Sequence, residues 1–280
     1  MSLDRPHKLL AKAGIHSPSQ SGTSDSWAEF ARFFRTLSQP LAAPWGEIFE
    51  PLRAGTVDEM VVVGQIGQSL DGRIATPTGH SKYINGPAGL DHLHRLRSLV
   101  DAVVIGVGTA LADDPQLTVR RVAGPHPARV VIDPNGRLAA SARLFAKDSV
   151  RRLLVTAEET QCSLTSEVEV LALSASGGRI APPAILAALA ERGLRRILIE
   201  GGADTVSGFL TAGCLDRLHV VVAPIILGAA GRASFILPPI ERADQALRMP
   251  IRAHQLDDEV LFDCDLSAQR VLVGRAKIST

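Results

Sequence analysis

Cysteine is scarce. Only Cys162, Cys214 and Cys264 occur in 280 residues, far apart and with no C-x-x-C pair. That argues against a zinc ribbon or a disulfide framework and fits a reducing cytoplasm. Charge of neither sign is in excess, and the formal net charge is +1. A dedicated nucleic-acid binder would carry a basic field; a local basic pocket stays open. Long apolar runs are missing too. The most apolar stretch, Leu218 to Leu227, is broken by His219 and Pro224. It falls far short of the roughly 20 residues of a membrane span. The N-terminus lacks the continuous apolar core of a signal peptide. His92 and His94 lie two apart, which on a helix points them in different directions, whereas a metal pair wants a spacing of three or four. No metal site is expected. G-x-G-x-x-G, G-x-S-x-G, P-loop, kinase and zinc-deaminase signatures are all absent.

What is present is apolar and alternating. Hydrophobic residues make up 46% of the chain, enough for one large domain or two small ones. Residues 1–58 stand apart as an N-terminal extension. Ser17 to Ser26 is rich in Ser, Pro and Gly and reads as mobile. Trp27, Phe30, Phe33, Phe34 and Leu37 recur at helical spacing, with Pro40 and Pro44 ending that helix. Trp45, Ile48 and Phe49 form a second apolar cluster. Both tryptophans and four of the eight phenylalanines lie here. The reading is an arm packed on the domain or on a partner subunit; a substrate lid is the alternative.

Residues 59–270 form the main domain, and 271–280 a tail. Strands are expected at Met60–Ile66, Ala102–Ile105, Arg129–Ile132, Arg152–Val155, Val168–Leu173, Arg196–Ile199, Leu218–Ala223 and Val260–Cys264. Helices are expected at Pro87–Val100, Pro182–Arg192 and Ala203–Ala212, with Pro87 in a first turn and Gly213 past an end. Alternating strands and helices imply an α/β fold with a mostly parallel sheet. The last strands lack an intervening helix, so an antiparallel C-terminal edge is expected.

The run Asp101 to Arg120 is the most informative. A short buried strand reaches Gly106 and Gly108, followed by Thr109, Asp113 and Asp114. Pro115 speaks against regular helix there, and Arg120 and Arg121 close the segment. A strand opening into a glycine turn leaves backbone N–H groups free for a phosphate. Gly201-Gly202 forms a second strand–glycine–helix junction. Parallel strands point their carboxyl ends at one edge, so the two reinforce each other. Glu200 ends its strand as a solvated group or as an acceptor facing the cleft. At about 100° per residue, Leu90, Leu93 and Val100 share an arc. Arg97 falls inside that arc, so it pairs with a buried carboxylate or reaches an anion past the sheet edge. Arg95 falls outside it and is read as solvated. Asp71, in Ser69-Leu70-Asp71-Gly72-Arg73, is a turn residue or a general acid. Thr76 to Tyr83 reads as a loop over a site.

Taken together, Ser69-Leu70-Asp71-Gly72-Arg73-Ile74-Ala75, Gly79-x-Ser81-x-Tyr83-Ile84, Leu96-Arg97, Gly106-x-Gly108-Thr109, Asp113-Asp114-Pro115-x-Leu117-Thr118-x-Arg120 and Glu200-Gly201-Gly202 resemble the RibD C-terminal family, the reductase domain of riboflavin biosynthesis. The resemblance spans about residues 60–266. It implies a dihydrofolate-reductase-like fold, NADPH as hydride donor and a homodimer. It also implies reduction of the ribose of 5-amino-6-(5-phosphoribosylamino)uracil to a ribityl chain. Position by position, Ser81, Arg97, Leu117, Arg120 and Glu200 match substrate contacts, with Arg97 and Arg120 on the 5′-phosphate. Gly67, Tyr83, Thr109, Asp113, Pro134 and the run Gly202, Ala203, Asp204, Thr205, Val206, Ser207 and Gly208 match NADPH contacts. Asp113 and Glu200 are the candidates for catalysis. Gln65 departs from the family's usual lysine, and Tyr83 from its common tryptophan. The aromatic arm stands in place of a deaminase half, so deamination is expected of another protein. A same-fold reductase of another pyrimidine or pteridine, such as dihydrofolate, is the alternative enzyme. A non-catalytic nucleotide-binding protein is the alternative of another class, and joint retention of Arg97, Arg120, Asp113 and Glu200 argues against it.

Overall fold

A computed structural model describes residues 24–36, 43, 45–54, 56–162 and 167–273. Most of the stretch read as mobile, together with Leu37, Pro40, Pro44 and the end of the tail, lies outside the described residues. The chain opens with helices α1 (Ser24–Phe33) and α2 (Trp45–Ala54). It continues through β1 (Val61–Ser69), β2 (Arg73–Ala75), α3 (Pro87–Leu99), β3 (Ala102–Gly106), α4 (Val107–Asp113) and β4 (Ala128–Ile132). Then come β5 (Arg152–Ala157), β6 (Glu169–Leu173), β7 (Ala175–Ser176), β8 (Arg179–Ile180), α5 (Pro182–Glu191), β9 (Arg196–Ile199) and α6 (Ala203–Thr211). The last elements are β10 (Arg217–Ala223), β11 (Arg232–Ala233), β12 (Ile251–Leu256) and β13 (Glu259–Asp265).

Nine strands form one sheet in the order β12-β13-β10-β1-β9-β3-β4-β5-β6. From β10 to β6 every pairing is parallel. β13 and β12 add the antiparallel edge. The inner strands are apolar on both faces because both faces are covered. Val103, Ile105, Leu198 and Val221 face one core with residues of α1 to α4. Val62, Val104, Ile197 and Ile199 face the other with residues of α5 and α6.

Three local expectations are corrected and one is filled in. Residues 107–113 form a short helix rather than an open glycine turn, because Pro115 lies beyond its end at Asp114 and removes no hydrogen bond from it. The second apolar cluster is itself a helix, α2, with Pro51 inside. Leu90 is exposed, and the buried face of α3 instead carries His92, His94, Leu96, Arg97 and Leu99. Arg95 is not simply solvated. Its guanidinium lies 4.1 Å from the Trp45 ring centroid and 5.6 Å from that of Trp27. The wheel placed Arg95 away from the sheet, but that side of α3 is covered by the arm.

The arm packs on the domain. Trp27, Phe30, Phe34, Trp45, Phe49 and Leu52 are buried in the same core as β1 and β3. Trp27 Nε1 donates to the Ala123 carbonyl at 2.9 Å, and Arg35 pairs with Asp101 at 2.7 Å. Phe49 stacks on His92 with ring centroids 5.6 Å apart. Among the described residues no helix is long and apolar enough to cross a membrane.

Candidate active site

The strand order places the site. After β9 the chain turns toward β10, through α6 on one face. After β3 it turns the other way to β4, through α4 on the opposite face. β9 and β3 are neighbours, so the connections part between them. Such a switch point opens a crevice at the carboxyl ends of parallel strands. Both glycine junctions lie there.

The junctions interlock. Gly202 N donates to Thr109 Oγ1 at 2.8 Å. A Cβ on Gly201, whose φ is +104°, would lie 2.8 Å from that same oxygen, and a Cβ on Gly106 would lie 2.3 Å from Thr205 Oγ1. Each helix thus sends one threonine over the other junction's glycine, and neither glycine tolerates a side chain. α6 starts after Gly202 with no side-chain cap. The Ala203 and Asp204 amides are left for an anion, since Gly202 N, Thr205 N and Val206 N are already bonded.

Beside the junctions, Arg97 and Glu200 form a buried fork. Arg97 Nε and Nη2 donate to the two Glu200 oxygens at 2.7 and 2.6 Å. The side chains are 7% and 6% exposed. Glu200 is therefore neither solvated nor free in the cleft, and this pair explains why an arginine interrupts the apolar face of α3. Of the two readings that the wheel left open, the buried carboxylate is the one found.

The Leu117–Arg120 segment is clamped from α3 and from beyond. Arg97 Nη1 donates to the Thr118 carbonyl at 3.2 Å. The Arg120 and Val119 amides donate to His94 Nδ1 and His126 Nδ1, each at 3.1 Å. Burial, followed by the charges of Arg97, Arg120 and Arg121, pushes His94 down to about 3. It stays a neutral acceptor at ordinary pH. Arg121 is bound to Asp91 at 2.5 Å.

The other expected residues divide by exposure. Tyr83 is 87% exposed, with φ +69°. Ser81 is half-buried, and Asp113 lies exposed at the end of α4. Leu117 has φ +53° and its side chain is buried in the core. Gly67 abuts the Asn85 side chain. The half-buried Pro134 offers its carbonyl to Ala157 N and Thr160 Oγ1. Within α6, Val206 is buried in the core and Ser207 Oγ accepts Ile236 N at 2.8 Å, so both side chains serve packing. Ala203 is buried and Asp204 is exposed. Gly208 has open space where a Cβ would stand.

Asp71 is a turn residue. Its oxygens accept Ser69 Oγ, Leu227 N and Gly228 N at 2.6, 3.1 and 2.7 Å. The Ser69 hydroxyl, followed by the Leu227 amide, holds it down at about 2. It is therefore a fixed carboxylate, not a general acid. Gln65 is buried on β1 opposite His219 of β10. Among the described residues no group of three or more His, Cys, Asp or Glu is placed to hold a metal ion.

Sequence reasoning missed Glu259. From β13 it accepts Gly86 N, Gly89 N and Asn85 Nδ2 at 3.0, 2.8 and 2.7 Å and so caps α3. No local signal announces a cap that arrives from a distant strand. His94 was legible in principle, since it lies one helical turn from Arg97 on the same helix.

This architecture agrees with known proteins. The sequence profile of the RibD C-terminal domain matches residues 52–261. The chain belongs to the RibD C-terminal domain family. It is 33% identical over 211 residues to the 2,5-diamino-6-ribosylamino-4(3H)-pyrimidinone 5′-phosphate reductase of Methanothermobacter thermautotrophicus, covering 72% of this chain and 96% of that one. It is 35% identical to the riboflavin biosynthesis protein RibD of Aquifex aeolicus, covering 58% of this chain. The match takes in 45% of that relative's length, so this chain spans about half of such RibD proteins. Among solved structures, the deaminase/5-amino-6-(5-phosphoribosylamino)uracil reductase of Thermotoga maritima superposes with a TM-score of 0.63 at 27% identity, over 78% of this chain and 59% of that one. The Saccharomyces riboflavin biosynthesis reductase shares the fold, with a TM-score of 0.65 at 19% identity over 79% of this chain and 98% of that one. The RibD profile begins at Leu52, so α1 and most of α2 precede the matched region.

Proposed function

We propose that this chain is an NADPH-dependent reductase of the riboflavin pathway, acting on 5-amino-6-(5-phosphoribosylamino)uracil. The observation that carries the reading is adjacency. Two interlocked glycine junctions at the switch point, fit for a dinucleotide diphosphate, stand beside a strap that presents Arg120. The reductase names of relatives matched over most of this chain support it.

NADPH supplies the hydride when bound. The first turn of α6 after Gly202, with Thr109 and Asp113, would hold its phosphates and ribose, with Gly67, Tyr83 and Pro134 around them. Arg120 binds the 5′-phosphate of the substrate. Arg97 acts through its clamp on Thr118 and through Glu200, whose carboxylate is locked as an acceptor at the crevice. Ser81 and the backbone of Leu117 border the sugar. In the reaction the ribose ring opens and leaves C1′ doubly bonded to nitrogen. The N–H proton passes to the opened ring oxygen, and carbon then gains the hydride and nitrogen a proton from water. The residues named here bind and align rather than exchange protons.

Measuring the loss of reduced-nicotinamide absorbance with this substrate tests the reading. NADPH binding without turnover would overturn it. A second substrate is favoured by one observation: the Methanothermobacter relative, matched over 96% of its length, is named for the 2,5-diamino pyrimidinone. Running both pyrimidines and dihydrofolate side by side separates the candidates, and dihydrofolate is expected to fail.

The working form in this reading is a homodimer. Leu247 and Ile251 are exposed at the antiparallel edge, beside Val220, Val222 and Phe262. Clustered exposed apolar side chains of that kind mark an association surface. We expect Ile251→Asp to shift the chain to a monomer in light scattering.

A further inference from the structure

Four arginines surround the Leu117–Arg120 strap, and two of them are already paired. Arg97 is bound to Glu200 and Arg121 to Asp91. The guanidinium groups of Arg120 and Arg143 make no hydrogen bond and no ion pair with any described residue. Both are exposed. Arg143 opens a 3-10 turn, Arg143–Phe145, that follows β4. Its backbone is fixed from the strand–helix junction itself, because Arg143 N donates to Asp114 Oδ1 at 2.8 Å. Asp114 holds the left-handed cap of α4 with φ +38°. Arg120 is fixed in turn by the bond from its amide to His94.

Two separate anchors thus fix the backbone under two unpaired guanidiniums, one on the strap and one on the turn held to the end of α4. They feel each other. Burial, followed by the charges of Arg97, Arg143 and Arg121, lowers the Arg120 guanidinium from its ordinary value. A protein gains nothing from holding like charges together unless an anion joins them. Guanidinium forks match the oxygens of phosphate.

We infer that Arg143 joins Arg120 in a two-guanidinium seat for a phosphate monoester at the carboxyl edge of the sheet. This deepens the reductase reading and rests on it for the ligand's identity. Such a group has two sources there, the 5′-phosphate of the substrate and the 2′-phosphate of NADPH. Arg143 lies outside the motifs that carry the resemblance to the family.

The test uses the full chain and the variants Arg143→Ala, Arg143→Lys and Arg120→Ala. The Arg143 variants keep the backbone bond to Asp114, so melting temperatures should match wild type. Calorimetric titration with ribose 5-phosphate and with adenosine 2′-monophosphate gives a readout that needs no turnover. We expect Arg143→Ala to weaken one of these probes by about tenfold, the scale of one charge-assisted contact. Arg143→Lys should recover part of the loss, because a lysine supplies charge without the fork.

Kinetics then name the source. A raised KM for the pyrimidine at nearly constant kcat assigns the seat to the substrate. A lost preference for NADPH over NADH assigns it to the cofactor. Unchanged binding of both probes in Arg143→Ala would overturn the seat even if the enzyme turns over normally. If wild type reduces no pyrimidine, yet Arg143→Ala still loses a probe, the seat stands and the reductase reading falls.

Discussion

Arg97 and Glu200 are the residues on which the crevice depends most. Each is almost wholly buried, and each satisfies the other through two short bonds. Removing one partner strands the other charge, at a cost of about 3–5 kcal/mol. We expect Arg97→Ala to lose stability on that scale in urea unfolding. Arg97→Met with Glu200→Leu should recover most of it, yet stay inactive because the Thr118 clamp is gone. A stable and active double variant would refute the positioning role. At Gly201 the expectation is separate. Alanine there meets Thr109 Oγ1 with φ at +104°, which should cost about 1–3 kcal/mol and weaken NADPH binding. Alanine at Gly108, where nothing stands within 4 Å, should be tolerated. The oddity of Arg97 was legible in the sequence, because an arginine on an apolar helical arc needs a partner. Its partner was not, since Glu200 lies 103 positions away in the chain and only the pairing of strands brings it close.

At the scale of elements, the ends of α3 show how much is settled by other parts of the chain. The start of this helix was readable from Pro87, but its cap comes from Glu259 on the antiparallel edge. Glu259→Ala leaves the Gly86 and Gly89 amides without their acceptor in a buried place, while Asn85 keeps only its bond to the Val221 carbonyl. We expect a loss of about 2–3 kcal/mol, seen as a lower denaturant midpoint with unchanged slope. On its outer side α3 is covered by the arm, where Arg95 lies over Trp45 and His92 stacks on Phe49. The aromatic spacing of α1 was legible as an apolar face. The surface it meets was not, because a helical wheel has no knowledge of a second layer. The lid reading of the arm gives way to a structural one. Trp45→Ala should destabilise the chain by about 3–5 kcal/mol while leaving KM for NADPH unchanged in folded protein.

At the scale of the whole molecule, β1 and the segment after β13 are tied together through a titrating carboxylate. Asp216 receives Val62 N at 2.7 Å and Arg270 Nε at 3.3 Å, with Asp58 nearby. Burial raises it to about 6. The folded state then holds a proton that the unfolded state has already released. Its stabilising effect is complete below about pH 4 and is lost as pH rises through about 6, by about 3 kcal/mol at most. Asp263 works in the opposite sense. Despite its burial, His219 and Arg217 hold it at about 2, so its contribution is lost as pH falls below about 4. We expect melting temperatures of wild type and Asp216→Asn to diverge between pH 4 and 6, with the variant the flatter. Parallel curves would contradict the assignment. By itself, the sequence determined the alternation of strands and helices, the antiparallel edge and the two glycine junctions. Each of these follows from local periodicity and from backbone positions that exclude a side chain. Only the tertiary structure decided that β9 inserts between β1 and β3. That insertion made the junctions neighbours and closed the Arg97–Glu200 pair, and the pairing of β13 with β10 gave α3 its cap, because contacts between distant segments are set by which strands share a sheet.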